Sequence, residues 1–217
     1  DQLDQGNPVV SGDSDFFGSA LANGYRYDQY LDDTDDFAGD PLFPLRLKVN
    51  ADFGTNVLKF AHTPLKVKGH KIKGQHDSFE RLHCCNGDGC VACEASTKGA
   101  QLVEVEFFYD LDERHFVGFA SPSSKRRDSF GAKLRKACAG QIPCVLKVSR
   151  SDSGGYQLKR NDSHGFAIAE LGPRVLAFRQ ALDRGEVDFD DVLPQIDNDE
   201  MREIPAISNN LPVKCQQ

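Results

Sequence analysis

The stretch HCCNGDGCVAC, residues 83–93, packs four cysteines, a histidine and two glycines into eleven positions. Cys90 and Cys93 form a C-x2-C pair, which sets two thiolates side by side on a tetrahedral ion when a tight turn lies between them. Cys85 is separated from Cys90 by NGDG, and those glycines let the backbone fold back so that a third thiolate reaches the same ion. On spacing alone the fourth ligand is His70, His76, His83 or Cys84. Three thiolates and one further donor make a closed set with no position left for water, the pattern of structural Zn2+. Binding free energies of about 10–16 kcal/mol at such sites let the metal fix a hairpin that has little core of its own.

Other uses of the cysteines fit less well. A redox C-x2-C sits between a strand and a helix in a thioredoxin-like setting, which the flanking sequence does not predict. Deaminase zinc needs an H-x-E motif upstream of P-C-x-x-C, and neither is present. No catalytic residue is expected: Asp88 and Glu94 flank the cluster as ordinary loop carboxylates, and a closed site has no room for substrate. Cys138, Cys144 and Cys215 read as ordinary side chains. Seven cysteines, four of them within ten residues, suit a reducing compartment better than a disulfide framework. With no apolar run approaching 18 residues and no basic-to-apolar leader, a cytoplasmic protein without membrane contacts is expected.

The net charge of −7 conceals a strong asymmetry. Residues 1–44 hold one basic and ten acidic side chains, residues 45–161 hold twenty and twelve, and residues 162–217 hold five and eleven. A basic centre between acidic flanks points to a polyanion for the centre. The flanks then serve as tails, competitors for the same groove, or docking segments for partner proteins.

The periodicity divides the chain at the same places. Residues 1–44, rich in Asp and Gly without a sustained period, read as an acidic N-terminal arm. From 45 to 161 apolar and polar residues alternate in segments at 45–50, 56–61, 65–73, 102–110, 114–120, 144–150 and 156–160. Seven short strands of this kind predict a mainly β barrel or sandwich. Ser129 is placed to cap a helix over FGAKLRKACA, with Phe130, Leu134, Ala137 and Cys138 on one side and Gly140 beyond it. A second helix starts near Pro173 and ends before Gly185, facing Val175, Phe178 and Leu182 inward. Residues 162–217 are thus a C-terminal helix followed by an acidic tail or lid.

Taken in order, NVLKFAHTP, LKVKGHKIKGQHDSFERLHCCNGDGCVAC, FGAKLRKAC and CVLKVSR resemble the single-stranded DNA-binding proteins of tailed phages, the helix-destabilising proteins of T-even phage replisomes among them. The resemblance covers about half the chain, residues 45–161. In that family a zinc-bearing loop is inserted in an OB-fold, with a histidine after a strand, then a cysteine, then C-x2-C. The resemblance therefore implies an OB-fold barrel with an inserted zinc hairpin and a few short helices, and it implies His70 as a ligand beside Cys90, Cys93 and a first thiolate from either Cys85 or Cys84, with Cys85 the one the loop spacing points to. The acidic start departs from the basic arm of T-even members, so the resemblance does not extend to that arm's cooperative contacts. A basic cluster beside serines, SSKRRDS at 123–129, is similar to the family's basic contact motif.

A binder of single strands needs cations along the backbone and rings on which bases stack. The expected contacts are Lys48, Lys59, Lys66, Lys68, Lys71, Lys73, Lys125, Arg126, Arg127, Lys133, Lys147, Arg150, Lys159 and Arg160, with Phe108, Phe119 and Tyr156 for stacking. On LVEVEFFYD, Val103, Val105, Phe107 and Tyr109 share one face and Glu104, Glu106 and Phe108 the other, so Phe107 is assigned to the core. Single-stranded DNA is the expected partner, with replication or recombination proteins meeting the acidic C-terminal segment. Two other classes stay open: a zinc-stabilised structural or interaction module that binds no nucleic acid, and a metalloenzyme, which needs an open coordination position and a carboxylate base such as Asp88 or Glu94 beside it.

Overall fold

The structure, a computed structural model, describes residues 43–73, 80–96, 99–152, 154–161, 163 and 171–212. All but the last two residues of the N-terminal arm, together with His76 and Cys215, lie outside that set. Eight strands build one mixed sheet: β1 (Leu45–Arg46), β2 (Thr55–Lys59), β3 (Leu65–Lys73), β4 (Glu80–Cys84), β5 (Gln101–Asp110), β6 (His115–Pro122), β7 (Cys144–Arg150) and β8 (Tyr156–Arg160). Among the described residues five short helices accompany them: α1 (Val91–Ala95), α2 (Phe130–Cys138), α3 (Gly172–Asp183), α4 (Asn198–Glu203) and α5 (Pro205–Ser208). The protein is mainly β, and among the described residues no helix is long and apolar enough to cross a membrane.

The strands run β1-β6-β5-β2-β7-β8, with β3 pairing β5 on one side and β4 on the other. Among the described residues only the β1–β6 ladder is parallel. One edge of β5 is divided: its first half pairs Leu65–Gly69 of β3, and its far end pairs Val57 and Leu58 of β2. Beyond Gly69 the second half of β3 pairs β4 instead, carrying His70 away from the main sheet.

Alternation along β5 decides what lies on each face. Val103, Val105, Phe107 and Tyr109 join Leu58, Phe60 and Phe116 in a core that α3 covers with Val175, Phe178 and Ala181. Phe178 stacks on Phe116 with centroids 4.1 Å apart. The opposite face gathers Val57, Phe108, Val117, Leu146 and Val148 under Phe130, Leu134 and Cys138 of α2. That helix begins where Ser129 accepts the Ala132 N–H and ends at Ala139 in the left-handed region. Each fully buried large side chain in these two cores contributes about 1.5–3 kcal/mol.

The sheet is open. Among the described residues its ends are β1 and β8, and no ladder joins β8 to β6. Two residues of β1 take part of the edge of β6, and side chains fill the remaining gap: Phe119 of β6 stacks on Phe130 at 3.9 Å and meets Tyr156 of β8 edge-on at 5.0 Å.

The C-terminal segment is where the sequence reading needs correction. The stretch expected to be an acidic tail or lid is part of the folded body, since Val187, Val192, Leu193, Met201 and Ile207 are all buried. Val192 packs where Gly118 has no side chain; a Cβ there would stand 2.6 Å from Val192 Cγ2. The acidic groups face water because apolar residues spaced between them face inward, Val187, Val192 and Leu193 into the α3-covered core and Met201 and Ile207 into a smaller core at the cysteine loop, so net charge concealed a buried stripe.

Candidate metal centre

His70, Cys85, Cys90 and Cys93 come together so that their ligand atoms all lie within 4.8 Å of one another, a group that could hold a metal ion. The backbone brings them there from two directions. His70 sits on β3 directly opposite His83 of β4, and the chain leaves β4 into Cys85, whose N–H donates to the Lys68 carbonyl at 2.9 Å. Gly87 and Gly89 then turn the backbone with φ of 78° and 75°, values open to glycine at little steric cost. Cys90 precedes the first turn of α1, and Cys93 lies on that turn with its N–H on the Cys90 carbonyl at 3.0 Å.

Three of the six separations come close to the edges of one coordination tetrahedron. Cys85 Sγ and Cys93 Sγ are 3.6 Å apart, and His70 Nε2 is 3.5 Å from Cys90 Sγ and 3.4 Å from Cys93 Sγ. Two sulfurs each about 2.3 Å from an ion at the tetrahedral angle stand about 3.8 Å apart, and a sulfur and a ring nitrogen about 3.6 Å. Burial holds the His70 imidazole below its ordinary value, favouring the neutral form that offers a lone pair. Burial, together with the neighbouring thiols of Cys85 and Cys90, pushes Cys93 up to about 11. At Cys90 burial acts upward too, but the backbone of Asn86, Cys93 and Ala92 outweighs it and leaves that thiol below its usual value. Three thiolates in so small a space ionise together only with a cation between them.

Cys84 and His83 do not join the group. The Cys84 side chain packs against the α3-covered core, and its N–H donates to the Pro194 carbonyl at 2.9 Å. His76 is outside the described residues.

Sequence reasoning missed what supports the loop from outside. Asn86 donates to the Ile196 carbonyl at 2.9 Å and to Asn198 Oδ1 at 3.1 Å. Asn198 Oδ1 also accepts the Val91 N–H at 3.2 Å, while its Nδ2 donates to the Gly89 carbonyl at 3.2 Å. Beneath them Ile72, Cys90, Val91 and Ala92 share a small core with Met201 and Ile207. The signal was present: Asp197 and Glu200 form a capping box at the start of α4, readable as D-x-x-E.

The expected nucleic-acid contacts fall into separate groups. Lys66 and Lys68 point from one side of β3 and Lys71 and Lys73 from the other, all exposed, because the strand keeps its period of two. Lys125, Arg126 and Arg127 are exposed on the loop before α2. Next to them Lys133 Nζ donates to the Tyr156 carbonyl at 2.9 Å, and the Arg150 guanidinium lies 5.5 Å from the Tyr156 ring centroid. Lys147 and Lys159 stand directly opposite each other on β7 and β8, both exposed, and Arg160 bonds Gln141. Lys48 is exposed beyond β1. Phe119 and Tyr156 are half-buried in the aromatic bridge between β6 and β8.

Two expected contacts are corrected. Phe108 is fully buried under α2, because its face of β5 is a second core rather than an open surface. Lys59 is 4% exposed and donates to Glu106 Oε2 at 2.6 Å. Alternation alone put both residues on a face whose covering helix comes from far along the chain.

No family model, no curated protein and no solved structure matches this chain.

Proposed function

We propose that this protein binds single-stranded DNA without regard to sequence, in replication, recombination or repair of the phage type, and that a zinc ion held by His70, Cys85, Cys90 and Cys93 stabilises it. In this reading β2 and β3 form one bent first strand, β5 and β6 the second and third, and β7 and β8 the fourth and fifth of a partly open, OB-type Greek-key barrel. The zinc hairpin is then an insertion between the first and second strands. Four protein ligands complete a tetrahedron, so the ion acts as a fastening for the hairpin and not as a Lewis acid.

The observation that carries the reading is a set of exposed cations with no ion pair among the described residues: Lys48, Lys66, Lys68, Lys71, Lys73, Lys125, Arg126, Arg127, Lys147 and Lys159. Like charges directly opposite on neighbouring strands are destabilising, and Lys147 faces Lys159 in that way. A polyanion relieves the repulsion, and phosphates at regular intervals supply it.

The test is a fluorescence titration of the full chain with labelled oligo-dT at two salt concentrations, with duplex DNA as control. With about five phosphate contacts, log affinity falls against log salt with a slope near −3.5, at about −0.7 per contact. Oligo-dT binds more tightly than duplex. No binding in dilute buffer, or equal binding of both, ends the proposal.

A further inference from the structure

The largest exposed aromatic surface among the described residues was not anticipated. Phe53, 74% exposed, sits in the turn between β1 and β2. A hydrogen-bonded frame holds it out: Asn50 Oδ1 accepts the N–H groups of Asp52 and Phe53 at 3.0 and 3.2 Å. Thr55 Oγ1 accepts the Asn50 N–H at 3.0 Å and donates to the Lys48 carbonyl at 3.1 Å. The ring is therefore displayed by a built turn, an Asx arrangement closed by a second side chain.

The surroundings carry charges of both signs and are partly apolar. Phe53, Leu45, Val49, Arg46, Lys48 and Lys147 line one surface depression. The Lys147 chain lies over the neighbouring Gly54, where a Cβ would stand 3.1 Å from its Cε. Lys159 extends the positive row from the next strand. Acidic groups border the depression too, but two of them are engaged by backbone: Asp112 holds the Asn56 N–H at 2.9 Å, and Asp110 Oδ1 accepts the N–H groups of Asp112 and Glu113. Glu113 and Asp52 remain exposed on the rim. Because Thr55 pairs Val148, this turn rises at the same end of the sheet as the β7–β8 turn, one of the loops with which OB-type barrels hold oligonucleotides.

We infer that Phe53 is a base-stacking platform, with Lys48, Lys147 and Lys159 holding the phosphates on either side of the stacked nucleotide. This rests on the single-strand reading above and extends it to a residue and a place. An aromatic face accepts any base, so the contact adds affinity without sequence preference.

The chain contains no tryptophan, so Phe53→Trp installs a single reporter. Saturating oligo-dT is expected to quench its emission, while an abasic strand of the same length leaves the emission unchanged. Phe53→Ala is expected to weaken oligo-dT binding about five- to hundredfold with the salt slope unaltered, since stacking displaces no counterions. It leaves abasic binding as it was. Unchanged affinity in the alanine variant, or unquenched tryptophan in the presence of bound oligo-dT, overturns this inference and leaves the single-strand reading standing. Failure of the unmodified protein to bind oligo-dT in dilute buffer overturns both. Quenching by a second copy of the chain, seen as a concentration-dependent change without DNA, assigns the patch to self-association and overturns the inference.

Discussion

Lys59 donates a hydrogen bond to Glu106 across 2.6 Å, with only 5% and 11% of the two side chains open to solvent. Burial pulls the lysine below its ordinary value, and the carboxylate beside it acts in the opposite sense. Removing one partner leaves the other charge buried and unpaired. Lys59→Met or Glu106→Gln alone is expected to destabilise by about 3–5 kcal/mol, whereas an apolar pair at both positions recovers most of the loss. Urea unfolding of the two single variants and the double variant measures the coupling. Because Lys59 is enclosed, Lys59→Met leaves the salt slope of DNA binding unchanged.

His62 adjoins this pair and gives the fold an acid limit. Its Nε2 accepts from Lys59 Nζ at 2.8 Å and from the Phe107 N–H at 3.1 Å, while Nδ1 is buried without a hydrogen-bond partner. Burial first and the Lys59 charge second pull it from 6.5 down to about 3. Between those values the unfolded chain binds a proton that the folded chain does not. Stability from this group is thus complete above about pH 6.5 and lost as pH falls toward 3, by about 2 kcal/mol at pH 5. His62→Gln keeps an acceptor but cannot titrate, so its unfolding free energy falls less between pH 7 and 5.

Metal removal is expected to act locally first. The three cysteines of the candidate centre share a core with α4 and α5. If the proposed zinc is present, chelation of the purified protein is expected to remove one metal ion per chain and to abolish amide-exchange protection over 80–96 and 198–208, while β5 and β6 stay protected. Cys90→Ser reproduces that pattern without chelator. Full protection after verified metal loss contradicts the assignment.

Asn198 tests the role of the C-terminal segment. Asn198→Ala removes three hydrogen bonds that tie α4 to the ligand loop, leaving the Val91 N–H and the Gly89 carbonyl without them. A loss of about 1–3 kcal/mol is expected, with faster metal release to a chelator. Deleting 186–217 is expected to expose both the α3-covered core and the metal loop, so the truncated protein melts at lower temperature. A free tail gives no change in melting.

Most strands were legible because alternation is a local property. Leu65–Lys73, Cys144–Arg150 and Tyr156–Arg160 fall where the pattern puts them, and Ser129 caps α2 as its hydroxyl suggests. Glu80–Cys84 went unread because five residues beside a cysteine cluster carry too little alternation to stand out. Its partner strand supplies what the segment lacks.

The sequence by itself determined which residues are chemically able to share an ion, since glycine turns and C-x2-C spacing act over a dozen residues. It also determined that the basic charge lies in the centre of the chain. Only the tertiary structure decided that His70 is the histidine in place, that Lys59 and Phe108 are enclosed, that the acidic segment from Val187 to Ile207 is a wall of the fold, and that Phe53 stands in the open. The physical reason is one of range: turns and strand alternation follow from neighbours in sequence, whereas burial of a face depends on which distant segment covers it.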